Sequence, residues 1–211
     1  MLFNILGSKP KPEFDETKWT RDLDYTFGKD YFDGERHKGY GGYKYDGRWK
    51  GIAQKCVERY GLDAKSKVLD AGCAKGFFVH DIMETVPGLE AWGVEVSDYA
   101  IEHAHGLSKG RIKKASADEL PFPDKSFDFV AGFNVLHFLT PDRAEVGLRE
   151  FMRVAKDDRK IFIQIDAFTT ERERVRLLAW AGGIKTVYSC DDWLRLFDKL
   201  KFRGDYYWSI I

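Results

Sequence analysis

Hydrophobic positions along the chain change their pattern near residue 50. After that point, short apolar runs alternate with stretches in which apolar residues recur every three or four positions, as on one face of a helix. The runs that predict strands are 67–72, 90–96, 111–117, 126–133, 160–166 and 204–211. Strands that alternate with helices predict βαβ units and a mainly parallel sheet covered on both faces.

The predicted helices carry recognisable ends. One covers 77–86, and the next begins at Asp98 with Ser97 as its N-cap. A third, over 142–155, has apolar residues at i, i+3, i+4 and i+7. The pair Thr170 and Glu173 forms a capping box for a charged helix that stops at Gly182–Gly183, and an apolar stripe predicts a last helix around 193–200. We therefore expect a Rossmann-like, doubly wound α/β fold with six to seven strands.

Composition narrows the class of protein. A chain of 211 residues is long enough for one α/β domain, and its 34 basic residues balance 34 acidic ones, which weakens the case for a nucleic-acid partner. The apolar start 1–7 is too short for a membrane span and lacks the pattern of a signal peptide. Three widely separated cysteines suit a reducing compartment and indicate neither a disulfide framework nor a zinc site. We expect a cytoplasmic protein without a metal centre.

The stretch VLDAGCAKG, residues 68–76, places a carboxylate and two glycines where the first strand ends. Gly72 allows a tight turn, and Gly76 allows the next helix to pack closely. An ordinary βα turn would also explain the glycines. The dinucleotide fingerprint G-x-G-x-x-G is absent, and a carboxylate at Asp70 favours a ligand with an ammonium group over a pyrophosphate.

Two further carboxylates follow the next strands. Glu95 ends the second strand, about 20 positions after the glycine turn, where an acid can accept hydrogen bonds from both ribose hydroxyls. Asp118 follows the third strand, where a carboxylate can accept from an adenine amino group. Either carboxylate alone would also be explained as a solvent-exposed acid at the end of a strand. Together they indicate an adenosine ligand.

These residues resemble the class I S-adenosylmethionine-dependent methyltransferases, and most closely the branch called methyltransferase type 11. The resemblance covers residues 67–165, including GVEVSDYAIEHA at 93–104 and ASADELPFPDKSFDFV at 115–130. The family usually has glycine at the position of Ala74 and a proline–glycine turn in place of AKDDRK. The resemblance implies S-adenosylmethionine (SAM) as cofactor and a set of residues that hold it: Asp70, Gly72, Cys73, Gly76, Glu95, Val96, Ala117, Asp118, Glu119 and Asn134.

A general base is needed only if the methyl acceptor must lose a proton. His137, just after the fourth strand, is one candidate, because the pKa of histidine is naturally near neutral. Asp166, at the end of the fifth strand, is a candidate to orient or deprotonate a hydroxyl. A histidine packed beside Phe138 and an ordinary strand-terminal aspartate explain the same two positions equally well.

The segments outside the resemblance are expected to set the acceptor. We interpret residues 1–50 as a lid or cap, residues 51–211 as the SAM-binding domain, and the insertion 167–188 as a substrate roof. Tyr43 and its neighbouring tyrosines are candidates for closing over the cofactor. Arg48 is a candidate partner for the cofactor carboxylate or a substrate phosphate. Trp49 is expected to cap the sheet edge.

Motifs of base-modifying and protein-arginine methyltransferases are absent, so a small-molecule or saccharide acceptor is favoured, with oxygen as the methylated atom. A non-catalytic SAM-binding scaffold and an NAD-dependent oxidoreductase remain the alternatives. The sheet is expected either to have six strands or to be completed at its edge by an N-terminal or partner strand, so a homodimer stays open.

Overall fold

A computed structural model describes residues 27–180 and 183–210 of the chain. Its strands are β1 (Lys67–Ala71), β2 (Glu90–Glu95), β3 (Ile112–Lys114), β4 (Phe129–Phe133), β5 (Ile161–Asp166) and β6 (Asp205–Ser209). Its helices are α1 (Lys29–Asp33), α2 (Trp49–Tyr60), α3 (Phe77–Thr85), α4 (Asp98–Glu102), α5 (Pro141–Val154), α6 (Glu171–Trp180) and α7 (Cys190–Leu200). Short 3₁₀ turns cover Arg36–Lys38, Gly106–Ser108 and Leu136–Phe138.

The six strands form one sheet in the order β3-β2-β1-β4-β5-β6, and every neighbouring pair is parallel. This confirms the predicted Rossmann-like α/β fold. The chain order reverses between β1 and β4, which is the point where open α/β sheets bind their ligands. In the described residues no seventh strand lies beyond β6.

Alternate residues of the central strands build two hydrophobic cores, one on each face of the sheet. Leu69, Val130 and Ile163 face the core that α5 and α7 complete, where Trp193 is fully buried. Their strand neighbours face the core that α2 and α3 complete, and these are Val68, Phe129, Ala131 and Phe162. Because both faces are covered, the central strands β1, β4 and β5 are mostly apolar, and ligands have access at the strand ends.

The predicted helix starts are confirmed. The Ser97 side chain accepts from the amide of Ala100, and the Thr170 hydroxyl accepts from the amide of Glu173, whose carboxylate accepts in return. The predicted stop at residue 182 lies outside the described residues. The strand predicted over 111–117 is shorter, because only Ile112–Lys114 pairs with β2 at this edge of the sheet.

The turn between α5 and β5 lacks the family's proline and glycine, and Asp157 replaces them. Its carboxylate accepts from the amide of Arg159 at 3.0 Å, and its carbonyl accepts from the amide of Lys160 at 2.9 Å. Hydrogen bonds from Arg159 lower the pKa of Asp157 to about 2. The departure from the family motif therefore keeps the turn that leads into β5.

Two features of the described part of the chain bear on its possible partners. No helix there has the length and apolar character that crossing a membrane requires. Across residues 27–180 and 183–210, no three side chains of histidine, cysteine, aspartate or glutamate come together as metal ligands would.

Candidate active site

A cavity of about 250 Å³ opens at the carboxyl ends of β1, β2 and β4. Five of the residues predicted to bind the cofactor line it: Gly72, Glu95, Val96, Ala117 and Asn134. The opposite side consists of four aromatic residues from the N-terminal segment, which we call the aromatic cover: Phe27, Tyr31, Phe32 and Tyr40. The cavity therefore lies between the switch point of the sheet and a roof that the chain itself supplies.

Glu95 organises the sheet side of the cavity. One carboxylate oxygen, Oε1, accepts from the amides of Val96 at 2.8 Å and Ser97 at 2.9 Å, and Oε2 accepts from the amide of Ala74 at 2.9 Å. Burial raises the pKa of Glu95, and the three amide bonds oppose that shift. Each carboxylate oxygen has two lone pairs, so Oε2 retains one for a ligand hydroxyl.

The amides of the glycine turn are mostly committed to protein acceptors. Gly72 and Cys73 both donate to the carbonyl of Val94, at 2.8 and 3.0 Å, and Gly76 donates to the carbonyl of Cys73 at 2.8 Å. A pyrophosphate site would need such amides free to face the anion. The geometry thus opposes the dinucleotide alternative, and it gives Gly76 a packing role, since a Cβ there would lie 2.5 Å from Ser108 Oγ.

Asp70 lies beneath the turn rather than on the cavity wall. Its side chain is buried, and Oδ1 has no hydrogen-bond partner among the described residues. Burial, reinforced by the charge of Glu95, holds the pKa of Asp70 well above its usual value. Burial likewise raises the pKa of the neighbouring Cys73 thiol. A cationic group of a ligand would relieve both the unpaired oxygen and the buried charge, which is the chemistry that an amino-acid ammonium offers.

Ala74 explains how the chain tolerates its departure from the family glycine. It adopts a left-handed backbone with φ of +49°, a conformation that favours glycine. Its methyl group joins a buried cluster with Phe32 and Ala100. The Ala74 methyl group therefore disfavours the left-handed backbone of the turn but also packs against Phe32 of the aromatic cover.

Asp118 is not on the cavity wall. Its carboxylate accepts from Arg143 Nε at 2.5 Å and Nη2 at 2.8 Å, and from the Ser116 hydroxyl. Burial raises the pKa of Asp118, but the hydrogen bonds from Arg143 and Ser116 outweigh it and leave the pKa below its usual value. Glu119 beside it is exposed. The adenine contact stays a prediction, and Arg143, which the sequence analysis missed, competes for the same carboxylate.

The residues predicted to form the lid take different positions. Tyr40 lines the cavity, whereas Tyr43 stacks on Phe77 at 4.8 Å, behind the glycine turn. Arg48 is exposed and pairs with Asp46 at 2.6 Å, away from the cavity. Trp49 packs against Phe133 at 4.9 Å in the core, as expected for a residue that caps the sheet.

Asn134 and the loop that follows β4 form another wall of the cavity. Asn134 has a left-handed φ of +54°, and its Oδ1 is buried without a partner in the described structure. Phe138 and Lys185 line the same side. Lys185 belongs to the predicted roof insertion, and no sequence motif marked it, because the amide of Lys185 reaches the carbonyl of His137 only through the fold.

His137 and Asp166 meet behind this wall. His137 is fully buried, and burial lowers its pKa to about 3. The amide of Asp166 donates to His137 Nδ1 at 3.3 Å, which assigns the ring hydrogen to Nε2, 3.7 Å from Asp166 Oδ2. Burial raises the pKa of Asp166 to about 7, against a hydrogen bond from Ser209. The two candidates are neighbours, and neither lines the cavity.

Comparison with known proteins agrees with this geometry. Residues 69–163 match the sequence model of a family described as a methyltransferase domain. A candidate methyltransferase of Encephalitozoon cuniculi is 30% identical over 139 residues, covering 65% of this chain and 62% of that protein. The 27-O-demethylrifamycin SV methyltransferase of Amycolatopsis mediterranei is 28% identical over 152 residues, covering 63% of this chain and 52% of that protein.

A solved structure shares the fold. The crystal structure of a SAM-dependent methyltransferase from Archaeoglobus fulgidus superimposes with a TM-score of 0.55 and 21% identity, over 72% of this chain and 68% of that one. The alignments with the two curated relatives span only 62% and 52% of their lengths, so their full activities do not transfer directly.

Proposed function

We propose that this chain, whose residues 69–163 match a family described as a methyltransferase domain, is a SAM-dependent class I methyltransferase that transfers a methyl group to an oxygen of a small molecule or saccharide. The observation that carries the proposal is the cavity at the switch point. It joins Glu95, Gly72 and Asn134, which are predicted to bind the cofactor, to Lys185 of the predicted substrate roof. Both reactants would then meet under the aromatic cover.

The residues present fit SAM. Glu95 Oε2 has a lone pair for a ribose hydroxyl, Ala117 and Val96 offer apolar surface beside it, and buried Asp70 favours an ammonium group nearby. When bound, SAM supplies a methyl group on a sulfonium whose thioether is a good leaving group, so positioning contributes much of the catalysis. The turn, Glu95 and the cover would position the reactants and exclude water.

Of the two candidates behind the cavity wall, Asp166 is the one that we favour as base if the acceptor must lose a proton. A base works best when its pKa lies near the working pH, and the pKa of Asp166 is about 7. The side chain of Asp166 is 12% exposed, whereas that of His137 is fully buried. We therefore assign His137 to positioning: its Nε2–H faces the carboxylate, and its Nδ1 accepts from the Asp166 amide. This reverses the roles that residue type alone suggested.

An oxygen acceptor is supported by a raised carboxylate pKa at the candidate base, since a hydroxyl must lose its proton during transfer. The name of the relative from Amycolatopsis mediterranei also refers to an oxygen position of its substrate. The balanced charge of the chain supports a small acceptor over a nucleic acid. The three cysteines are free and buried, which fits the cytoplasm that we expect.

The first experiment is calorimetric titration of the protein with SAM and, separately, with NAD. We expect saturable SAM binding and no heat with NAD. Incubation with SAM and a panel of hydroxyl-bearing sugars and small molecules, read by mass spectrometry, should then give a product heavier by one CH₂ group. NAD binding in place of SAM would overturn the proposal.

The matched variants are Asp166→Asn and Asp191→Asn, the second being an exposed acid on α7. Asp166→Asn should lower the rate of product formation by about 100-fold or more while SAM affinity stays unchanged. Asp191→Asn should affect neither. If the protein binds SAM tightly and no acceptor of the panel is methylated, the non-catalytic scaffold becomes the favoured alternative.

A further inference from the structure

Lys75, in the middle of the glycine turn, points away from the cavity and into a buried ionic contact. Its Nζ donates to both carboxylate oxygens of Asp33, at 2.8 and 2.6 Å, and to the carbonyl of Tyr43 at 3.1 Å. The side chains of Lys75 and Asp33 are only 9% and 23% exposed. Such a pair is far less screened by solvent than the surface ion pairs of this chain.

Tyr99, on α4, completes the contact. Its hydroxyl donates to Asp33 Oδ2 at 2.7 Å, and its ring centroid lies 5.6 Å from Lys75 Nζ. Burial raises the pKa of Asp33, but hydrogen bonds from Lys75 and Tyr99 outweigh it, so the pKa lies below its usual value. Asp33 is therefore ionised at neutral pH, and both of its oxygens have partners.

These three residues connect the two sides of the cavity. Asp33 ends α1, the helix that carries Tyr31 and Phe32 of the aromatic cover. Lys75 follows Ala74, whose amide binds Glu95 on the predicted cofactor side. The carbonyl of Tyr43, in the loop between α1 and α2, joins the same N-terminal segment to Lys75. One ammonium group thus joins the cover to the turn beneath it.

We propose that Asp33, Lys75 and Tyr99 form a latch that holds the aromatic cover closed, and that Lys75 is a positioning residue that sets the rate of cofactor exchange. The proposal rests on SAM binding in this cavity, as proposed above. The cover lines the cavity with four aromatic rings, so movement of the cover should ease the exit of a ligand of nucleoside size. Breaking the latch should lower the barrier to that movement.

The latch is the charged part of the cover's attachment. Uncharged contacts of the cover include packing of Phe32 on Ala74 and Ala100, a contact of Phe27 with Phe138 at 5.8 Å between ring centroids, and a hydrogen bond of 2.5 Å from the Ser97 hydroxyl to the Phe27 carbonyl. Removing the ammonium would leave the Asp33 carboxylate largely buried without a cation, with the Tyr99 hydroxyl and the Tyr43 backbone as its partners. Most of that cost falls on the closed state, because water reaches the carboxylate in the open one.

The test is the dissociation rate of SAM, measured by stopped-flow displacement. We expect Lys75→Met, which keeps the length of the side chain, to raise the rate by about tenfold or more. Asp33→Asn should act in the same direction, and Tyr99→Phe, which keeps the ring, should raise the rate less. The control is Lys38→Met, which removes an exposed ion pair between Lys38 and Asp30 of the same segment and should leave the rate unchanged.

Hydrogen exchange of residues 27–45 in the cofactor-free protein gives a readout that does not depend on SAM. The latch predicts faster exchange of this segment in Lys75→Met and Asp33→Asn, with unchanged exchange in β1 and β4. If no variant binds SAM but the segment still exchanges faster, the latch stands and the cofactor proposal fails. A SAM dissociation rate within about twofold of the unaltered protein in both variants would overturn the latch.

A purely structural role for Lys75 would give a different pattern. It would lower the midpoint of thermal unfolding and speed exchange throughout the domain, without a selective effect on residues 27–45. If Lys75→Met fails to fold, the milder Tyr99→Phe variant decides the question, since it removes one hydrogen bond and no charge. Faster SAM dissociation in Tyr99→Phe supports the latch, and an unchanged rate contradicts it.

Discussion

The two ends of the cavity are built differently. At the β1–β2 end, the groups that face a cofactor are fixed by backbone: Glu95 binds three amides, and the glycine turn binds the carbonyl of Val94. At the β4–β5 end, buried polar atoms lack partners in the described structure, among them Asn134 Oδ1 and His137 Nε2. At the β1–β2 end the exception is Asp70 Oδ1, which is buried without a hydrogen-bond partner among the described residues. Asn134 lines the cavity, so its Oδ1 can accept from a bound molecule, whereas His137 Nε2 lies behind the wall and faces Asp166.

The largest effect should come from removing the carboxylate that accepts the three amide hydrogen bonds at Glu95. Glu95→Ala leaves the buried amides of Ala74, Val96 and Ser97 without an acceptor, and each such loss costs about 1–3 kcal/mol. We expect SAM affinity in a calorimetric titration to fall by about 100-fold or more. Glu102→Ala, at an exposed position of α4, is the control. An affinity within about threefold of the unaltered protein would show that Glu95 is not a cofactor residue.

The next effect concerns the shape of the turn. Gly72 and Gly47 have nearly the same left-handed φ, +76° and +75°. A Cβ at Gly72 would lie 2.6 Å from Val135 Cγ2, whereas nothing lies within 4 Å of one at Gly47. We therefore expect Gly72→Ala to lower the free energy of unfolding by about 3 kcal/mol and Gly47→Ala by about 1 kcal/mol.

Denaturant unfolding measures both values. Equal losses would mean that backbone conformation alone matters and that the contact between the turn and the loop after β4 is loose. The difference between the two variants isolates the steric part of the cost, since the conformational part is common to both.

At the acceptor end, pH separates Asp166 from His137. The pKa of Asp166 rises from 3.8 to about 7 on folding, so its protonated form is favoured and its contribution to stability is lost as pH rises from about 4 to about 7. The pKa of His137 falls from 6.5 to about 3, so its contribution is lost as pH falls from about 6.5 to about 3. Between pH 4 and 6.5 the two dependences oppose each other.

Single variants should separate the two opposing pH dependences of the free energy of unfolding. Asp166→Asn should make the free energy of unfolding rise with pH over this range, and His137→Asn should make it fall, each by about 1 kcal/mol per pH unit. Urea unfolding at several pH values measures both. Parallel curves for the unaltered protein and both variants would contradict the buried titration that the structure indicates.

The smallest expected effect tests whether Asp118 contacts the cofactor. Asp118→Ala should weaken SAM binding by about 1 kcal/mol or somewhat more if an adenine amino group is buried against it. Arg143→Ala frees the same carboxylate and should leave SAM affinity unchanged or slightly higher, because the cation then no longer competes. If both variants lose affinity equally, the ion pair itself shapes the site and the adenine contact is not needed.

The features of the β1–β2 end were easier to predict from the sequence than those of the β4–β5 end. The strands, Ser97 and the placement of Gly72 and Glu95 could be predicted, because strand periodicity and a short sequence distance put them at one sheet edge. The partners of Asp118 and His137 could not. Arg143 lies 25 positions from Asp118, and Lys185 reaches the His137 carbonyl from another loop, so only the packing of α5 and the roof segment brings them together.

Residue type also misled where burial decides the chemistry. A histidine after β4 predicted a base of near-neutral pKa, but full burial makes it the weaker base of the pair. The aspartate beside it acquires the near-neutral pKa instead. Arg48, marked by its position in a tyrosine-rich loop, pairs with its neighbour Asp46. Desolvation and competing partners depend on the folded chain, so the spacing of residues in the sequence does not predict them.

The position of Lys75 within the glycine turn has a consequence for how this protein can evolve. The turn serves the cavity through Ala74 and the N-terminal segment through Lys75. Replacing the lysine alone would leave the carboxylate of Asp33 without its cation, and replacing the aspartate alone would leave the amine buried without its anion. Homologous chains are therefore expected to exchange positions 33 and 75 together, so covariation between them would reveal the latch in lineages whose acceptors have diverged.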